Sequence, residues 1–317
     1  DVDVVSASGT GPARQGVMCA LLADGGLRVF GGHKPAGPSE VGAWKASFGG
    51  TPESATSLTW SDDSGHGLGS FERSGGGAQQ TKDRVVILGG FRRGGGGSEP
   101  WHRRWPGTPL QLPAAGTQVV ALGAPSPRPR IGAASGFAEG IGLCVAGGLG
   151  FDLPDEGQSK ARTMPLTDAW CADETGAWQQ VATDLPPYAF GIHGVDPETN
   201  DLVFASGLKL FKDKEVNKPE RLWRAGLDFR KSKRTTAGLL DVTDAVYRLG
   251  LVNGKLTAMS KNKSGPLLAA SGVVVDKIRR RILAFGGFDT SQPTDALWAL
   301  DMDTMAWQDL AKNYPAS

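Results

Sequence analysis

Arg281-Ile282-Leu283-Ala284-Phe285-Gly286-Gly287 is an apolar run that stops at two glycines, and it is one of five such runs. A short apolar stretch bounded by turn residues reads as a buried strand. Paired glycines at its end supply backbone angles that other residues reach only at a cost. The others are Leu27-Arg28-Val29-Phe30-Gly31-Gly32, Val85-Val86-Ile87-Leu88-Gly89-Gly90, Gly142-Leu143-Cys144-Val145-Ala146-Gly147-Gly148 and a weaker Leu202-Val203-Phe204-Ala205-Ser206-Gly207. The pairs begin at 31, 89, 147, 206 and 286, so their spacings are 58, 58, 59 and 80. A spacing that regular marks an internal repeat.

Two further signals ride on the first. Thr167-Asp168-Ala169-Trp170, Thr243-Asp244-Ala245-Val246-Tyr247 and Thr294-Asp295-Ala296-Leu297-Trp298 each open a strand-like stretch, with Trp178, Leu256 and Trp307 eight or nine positions beyond. Before the pairs, Gly16, Gly132 and Gly191 each stand 15 residues upstream. Each unit therefore reads as four short strands, and four-stranded sheets that bury their faces only on their neighbours form propellers. Glycine at 46 of 317 residues, about twice the usual share, fits many tight turns in an all-β chain.

The glycine pairs and spaced aromatics resemble the Kelch-repeat family over nearly the whole chain, with Trp170/Trp178 and Trp298/Trp307 as the aromatic pairs. The resemblance implies a single propeller domain over 1–317, of four-stranded antiparallel blades. Five blades are visible, at about 12–62, 63–123, 128–182, 188–260 and 266–311, with six as the alternative. Asp1–Ser6 is expected to add a strand to the last blade. The segment 209–242 is expected to be an inserted loop, closing over one face as a lid, unless Arg221–Asp228 is itself the third strand.

Charge is balanced, 34 basic against 33 acidic residues, which argues against a nucleic-acid partner. No apolar run reaches 18 residues, so no membrane helix is expected. The chain begins at Asp1 without Met, read as a processed or trimmed start, and its compartment stays open. Cys19, Cys144 and Cys171 are too few and too scattered for a disulfide scaffold, and are expected to be buried thiols. The expected assembly is a monomer.

Chemistry is expected where the loops after the glycine pairs gather. Phe91–Trp105 holds Arg92, Arg93, Arg103 and Arg104 with Trp101, His102 and Trp105, behind a glycine hinge. Guanidinium forks match carboxylate or phosphate, and Trp faces stack on rings, so this loop reads as an anion-and-ring clamp. Arg14 and Arg130 each stand 17 residues before their pairs (31 − 14 and 147 − 130), which predicts both at the same mouth, with Tyr188 beside them. Two readings follow. One is a propeller that binds a protein partner or a small anionic or cyclic ligand through Arg14, Arg92, Arg93, Trp101, Arg103, Trp105, Arg130 and Tyr188. The other is a metal-free enzyme, namely a sugar-acid mutarotase, isomerase or cyclase, using His102, His193, Asp152 and Glu156 as acid–base groups. Sialic-acid mutarotases are similar in architecture to this chain. No cofactor is expected, and no two histidines share metal-ligand spacing.

Overall fold

In the computed structural model the described residues form short strands and the turns between them. The structure describes residues 6–9, 11, 17–21, 26–32, 42–49, 57–63, 74–80, 84–91, 110–113, 120–121, 127–128, 130–152, 162–173, 177–210, 240–242, 245–259, 265–287 and 294–311. They contain no α-helix, so none is long and apolar enough to cross a membrane.

The chain divides into two compact units, Asp1–Pro129 and Arg130–Ser317. In the first, β1 (Ser6–Ser8), β2 (Met18–Leu21), β3 (Leu27–Phe30), β4 (Ala43–Gly49) and β5 (Ser57–Asp62) form one sheet in the order β1-β5-β4-β3-β2. A second sheet is the meander of β6 (Ser74–Gln80), β7 (Arg84–Phe91), β8 (Leu110–Pro113) and β9 (Val120–Ala121). Residues 1–5, of the strand expected on the last blade, lie outside the described residues, and β1 runs parallel to β5 in the first sheet, with Ser6 opposite Ser57. It covers an edge that would otherwise offer unpaired backbone groups. Arg28 on β3 and Asp63 just past β5 form an ion pair here, each 7% exposed.

The second unit continues with β10 (Arg130–Ile131), β11 (Ala134–Ala138), β12 (Gly142–Ala146), β13 (Leu149–Asp152), β14 (Arg162–Pro165), β15 (Ala169–Ala172) and β16 (Trp178–Ala182). Next come β17 (Tyr188–Ala189), β18 (Ile192–Val195), β19 (Asp201–Ala205), β20 (Leu208–Leu210), β21 (Leu240–Val242), β22 (Val246–Gly250) and β23 (Leu256–Met259). The last four are β24 (Gly272–Asp276), β25 (Arg281–Phe285), β26 (Leu297–Asp301) and β27 (Trp307–Asp309). Three antiparallel four-stranded sheets result, the third (β11-β12-β15-β16), fourth (β18-β19-β22-β23) and fifth (β24-β25-β26-β27) of the large sheets. Two small three-stranded sheets, β10-β13-β14 and β17-β20-β21, stand beyond the glycine pairs. Because Val246–Gly250 is the third strand of its sheet, the alternative in which Arg221–Asp228 fills that place is corrected. The insertion instead rises from a ladder pairing Leu208 with Val242 and Leu210 with Leu240. Its body, 211–239, lies outside the described residues, as does the lid expected of it.

The pairs explain why these sheets repeat. In all five, both residues are left-handed: φ is 59° and 79° at Gly31-Gly32 and at Gly89-Gly90, 63° and 91° at Gly147-Gly148, 55° and 86° at Ser206-Gly207, and 64° and 90° at Gly286-Gly287. That geometry aims successive N–H groups at different sheets. Gly147 N–H donates to Asp168 O of its own sheet (3.0 Å), and Gly148 N–H donates to Tyr188 O at the start of the next (2.7 Å). Ser206 and Gly207 repeat this with Ala245 O (3.2 Å) and Leu268 O (2.7 Å). The serine costs backbone strain, because L-residues avoid this region. Its hydroxyl offsets that cost by accepting from Leu268 N–H (2.8 Å) while lying 2.9 Å from Pro266 O and 2.7 Å from Leu268 O, either of which can take its proton. The degenerate pair is therefore a tie between the fourth and fifth sheets.

A second chain of bonds corrects the alignment of the upstream glycines. Gly132 (φ 61°), Phe190 (φ 58°) and Ala270 (φ 57°) are the equivalent residues, and Gly191 is not. Phe190 N–H donates to Gly132 O (2.7 Å), and Ala270 N–H donates to Phe190 O (2.6 Å). The hairpin of the fourth sheet pairs Ile192 with Ala205, where the third pairs Ala134 with Ala146, one residue closer in sequence. Counting back from the pair therefore slips by one.

Between the third and fourth sheets lies a buried cluster of Ala134, Cys144, Cys171, Tyr188, Phe204 and Leu249. Between the fourth and fifth lies another, with Ile192, Val203, Val246, Ile282 and Leu300. Cys144 and Cys171, expected as separate thiols, form a disulfide between register partners on β12 and β15. Cys19 is free.

Candidate functional site

The two ends of the second unit differ in build. At one end the strands turn in tight hairpins tied across the sheets: Asn200 Nδ2 donates to Glu139 O, and Glu139 N–H returns a bond to Asn200 Oδ1, both at 3.1 Å. There Asp196, fully buried, meets Arg280 and Arg248. The glycine-pair end instead carries the ribbons β13–β14 and β20–β21. Long connections on a rigid base are where binding residues gather.

The described part of that end is held by Arg130. Its guanidinium is 6% exposed; Nη1 donates to Asp168 Oδ1 (2.9 Å) and to Gly147 O (3.0 Å), while Nη2 donates to Asp168 Oδ2 (3.3 Å). Trp170 Nε1–H adds a 2.6 Å bond to Asp168 Oδ2. The Thr-Asp-Ala strand opening is thus a carboxylate socket that receives the arginine and braces the glycine pair. Burial works to raise the Asp168 carboxyl, but the bonds and charge of Arg130, with Trp170, outweigh it and hold the group below the ordinary carboxylate range.

Tyr188 occupies the matching place in the fourth sheet and is also enclosed, 2% exposed, with its hydroxyl 3.1 Å from Ile192 O and 3.2 Å from Ala205 O. Burial pushes its phenol well above the usual value, so it stays neutral. Both side chains point into the sheets. His193, half-buried on β18 opposite Phe204, lies 3.1 Å through Nδ1 from Gly191 O, a bond the Nδ1–H tautomer makes. Burial holds its imidazole below the ordinary value against the pull of that bond, which keeps it neutral at pH 7.

Asp152 closes β13 opposite Arg162 in the ladder. Arg14, Arg92, Arg93, Trp101, His102, Arg103, Trp105 and Glu156 lie outside the described residues. The structure therefore brings Arg130 and Tyr188 to the same end of neighbouring sheets, and sets His193 on the edge strand β18 that follows Tyr188. Asp168 and Ser206 were missed as site-shaping residues. The signal for Asp168 was its place in the repeated Thr-Asp-Ala opening, and for Ser206 its place in a glycine slot. Among the described residues no group of three or more His, Cys, Asp or Glu side chains is placed to hold a metal ion.

No protein-family model matches this chain, and no curated protein matches it in sequence.

Proposed function

We propose that the five-stranded first sheet and the four four-stranded sheets are the blades of one closed Kelch-type propeller, and that it binds a small anionic, ring-bearing ligand at the glycine-pair end. The observation that carries the reading is the asymmetry of the second unit: ion-paired hairpins at one end, and β-ribbons continuing into the long segments 153–161 and 211–239 at the other.

The last sheet leaves open a face that ring closure would cover. Ala146 and Ala205, the residues before their pairs, are 2% and 0% exposed because the following sheet covers them. Their counterpart Phe285 is 60% exposed, and so is Val274, counterpart of Gly136 and Gly194. A sheet face of that kind belongs against another sheet. Phe285→Ser is then expected to cost about 3 kcal/mol in urea unfolding, as loss of a buried aromatic does, and an unchanged midpoint would sink the closed ring.

The charge and ring faces this reading calls for are carried in the sequence by Arg92, Arg93 and Arg103 with Trp101 and Trp105, in the segment after Gly89-Gly90. A carboxylate on a sugar ring would meet both, through forked hydrogen bonds and ring contact. Millimolar sugar acids are expected to raise the thermal midpoint by a few degrees, as ligands that bind only the folded state do, while the parent neutral sugars leave it unchanged. Arg92→Ala/Arg93→Ala/Arg103→Ala should abolish the shift at unaltered basal stability. Equal shifts in that variant, or none with any anion tried, would reject this end as the site.

A further inference from the structure

Cys144 and Cys171 face each other across β12 and β15 with Cα atoms 4.0 Å apart, bridging 27 residues. Between them the chain leaves the third sheet on β13 and returns on β14, so the bridge staples the base of that ribbon. At the same register the fourth sheet has Val203 and Arg248, and the fifth has Leu283 and Ala299. The staple belongs to the third sheet alone among the described ones.

Its surroundings are the second observation. The sulfur-bearing side chains are 1% and 5% exposed and lie in the cluster with Tyr188, Val195, Leu202, Phe204 and Leu249 of the fourth sheet's segment. Thiol–disulfide exchange passes through a mixed disulfide, with an incoming sulfur attacking one of the pair. A packed apolar joint leaves no room for the attached group. We propose that the Cys144–Cys171 bond is made by oxidation before the fourth sheet packs onto the third, so that the chain matures in an oxidising compartment and the finished bond is sealed against thiols. In the step, one thiolate attacks a small-molecule disulfide such as oxidised glutathione and expels a thiol; the second thiolate attacks the mixed disulfide and expels the other. Two protons and two electrons leave the protein, and the small molecule departs as two thiols. Soluble folded chains that mature in reducing compartments seldom keep such a bond.

The test uses the full chain secreted into an oxidising compartment and then trapped with an alkylating reagent. Non-reducing peptide mapping should find residues 144 and 171 in one linked species and Cys19 alkylated. With dithiothreitol, the bond should break at least about 100-fold more slowly in the native protein than in urea, because opening must precede attack. The fully reduced chain, returned to native buffer with oxidised glutathione, should form the bond before the fourth sheet's amides gain protection in pulsed hydrogen exchange. Free thiols at both positions in the folded secreted protein would overturn the proposal. So would native reduction as fast as in urea, or sheet protection that precedes the bond.

Discussion

Asp196→Ala is expected to destabilise the second unit by about 3 kcal/mol, the cost typical of removing one partner from a buried ion pair. The carboxylate is fully buried in the hairpin after β18. Arg280 Nη2 donates to both its oxygens at 3.0 Å, Arg248 Nη1 lies 3.2 Å from Oδ2, and the Glu198 N–H donates to Oδ1 at 3.1 Å. Arg280 comes from the fifth sheet's hairpin and Arg248 from β22, so one anion joins two sheets. Without it the two guanidinium groups keep Asp303, Glu198 and Asp201, whose carboxylates are more exposed. Surface ion pairs of that sort contribute little. Asp196→Asn keeps the shape and loses the charge, so about half the effect is expected. Urea midpoints of the three proteins measure both losses, and a loss under about 0.5 kcal/mol for Asp196→Ala would remove the joint from the account.

The same group sets an acid limit. Burial favours the neutral Asp196 carboxyl, but the Glu198 amide, Arg280 and Arg248 outweigh it and hold the group below its ordinary value. A depressed folded-state pKa contributes stability that is complete above the unfolded pKa and is lost as pH falls through the folded one. Wild type should therefore hold its midpoint down to about pH 4 and lose it below, and the gap to Asp196→Asn should narrow as the pH falls through the depressed folded-state pKa. Asp168, shifted in the same direction, adds to that fall.

Arg130→Met is the second large effect, again about 3 kcal/mol, because it strands the Asp168 carboxylate and the Gly147 carbonyl inside the sheet. Arg130→Lys should recover only part, since an ammonium cannot fork to both oxygens of Asp168 and reach Gly147 together. In a chain of this unit's size the loss lowers the thermal midpoint by roughly 6–12 °C. A direct ligand contact gives a different pattern: both variants would be as stable as wild type and would lose the sugar-acid shift. The thermal scan with and without ligand separates the two roles of Arg130.

Much of this fold could be read residue by residue. An apolar run ending in two glycines already implied a strand followed by left-handed backbone, because both preferences are local. The hairpins carrying Trp170 and Trp178, or Trp298 and Trp307, followed from alternation and spacing in the same way. The register of the disulfide was within reach as well. With Ala146 opposite Ala169, antiparallel pairing sets Cys144, two residues before the first, opposite Cys171, two residues after the second. The scatter of three cysteines along the chain hid that count. Offsets measured across a hairpin were less secure: one added residue moved the equivalence from Gly191 to Phe190, whose positive φ is held by bonds to Gly132 and Ala270 in the neighbouring sheets.

The sequence by itself determined which segments are strands, where the backbone turns left-handed, and that a four-strand unit recurs, since sterics and short-range alternation decide these within a few residues. Only the tertiary structure decided that Arg130 belongs to Asp168, that Asp196 holds an arginine of the next sheet, that the Ser206 hydroxyl ties Pro266 and Leu268, and that β1 runs beside β5. Those partners stand 38, 84, 60 and 51 positions apart or more. What joins them is edge pairing, the folding back of one repeat on itself and the stacking of one sheet on the next, and the energy of burying charge and apolar surface there is not carried by any single stretch of chain.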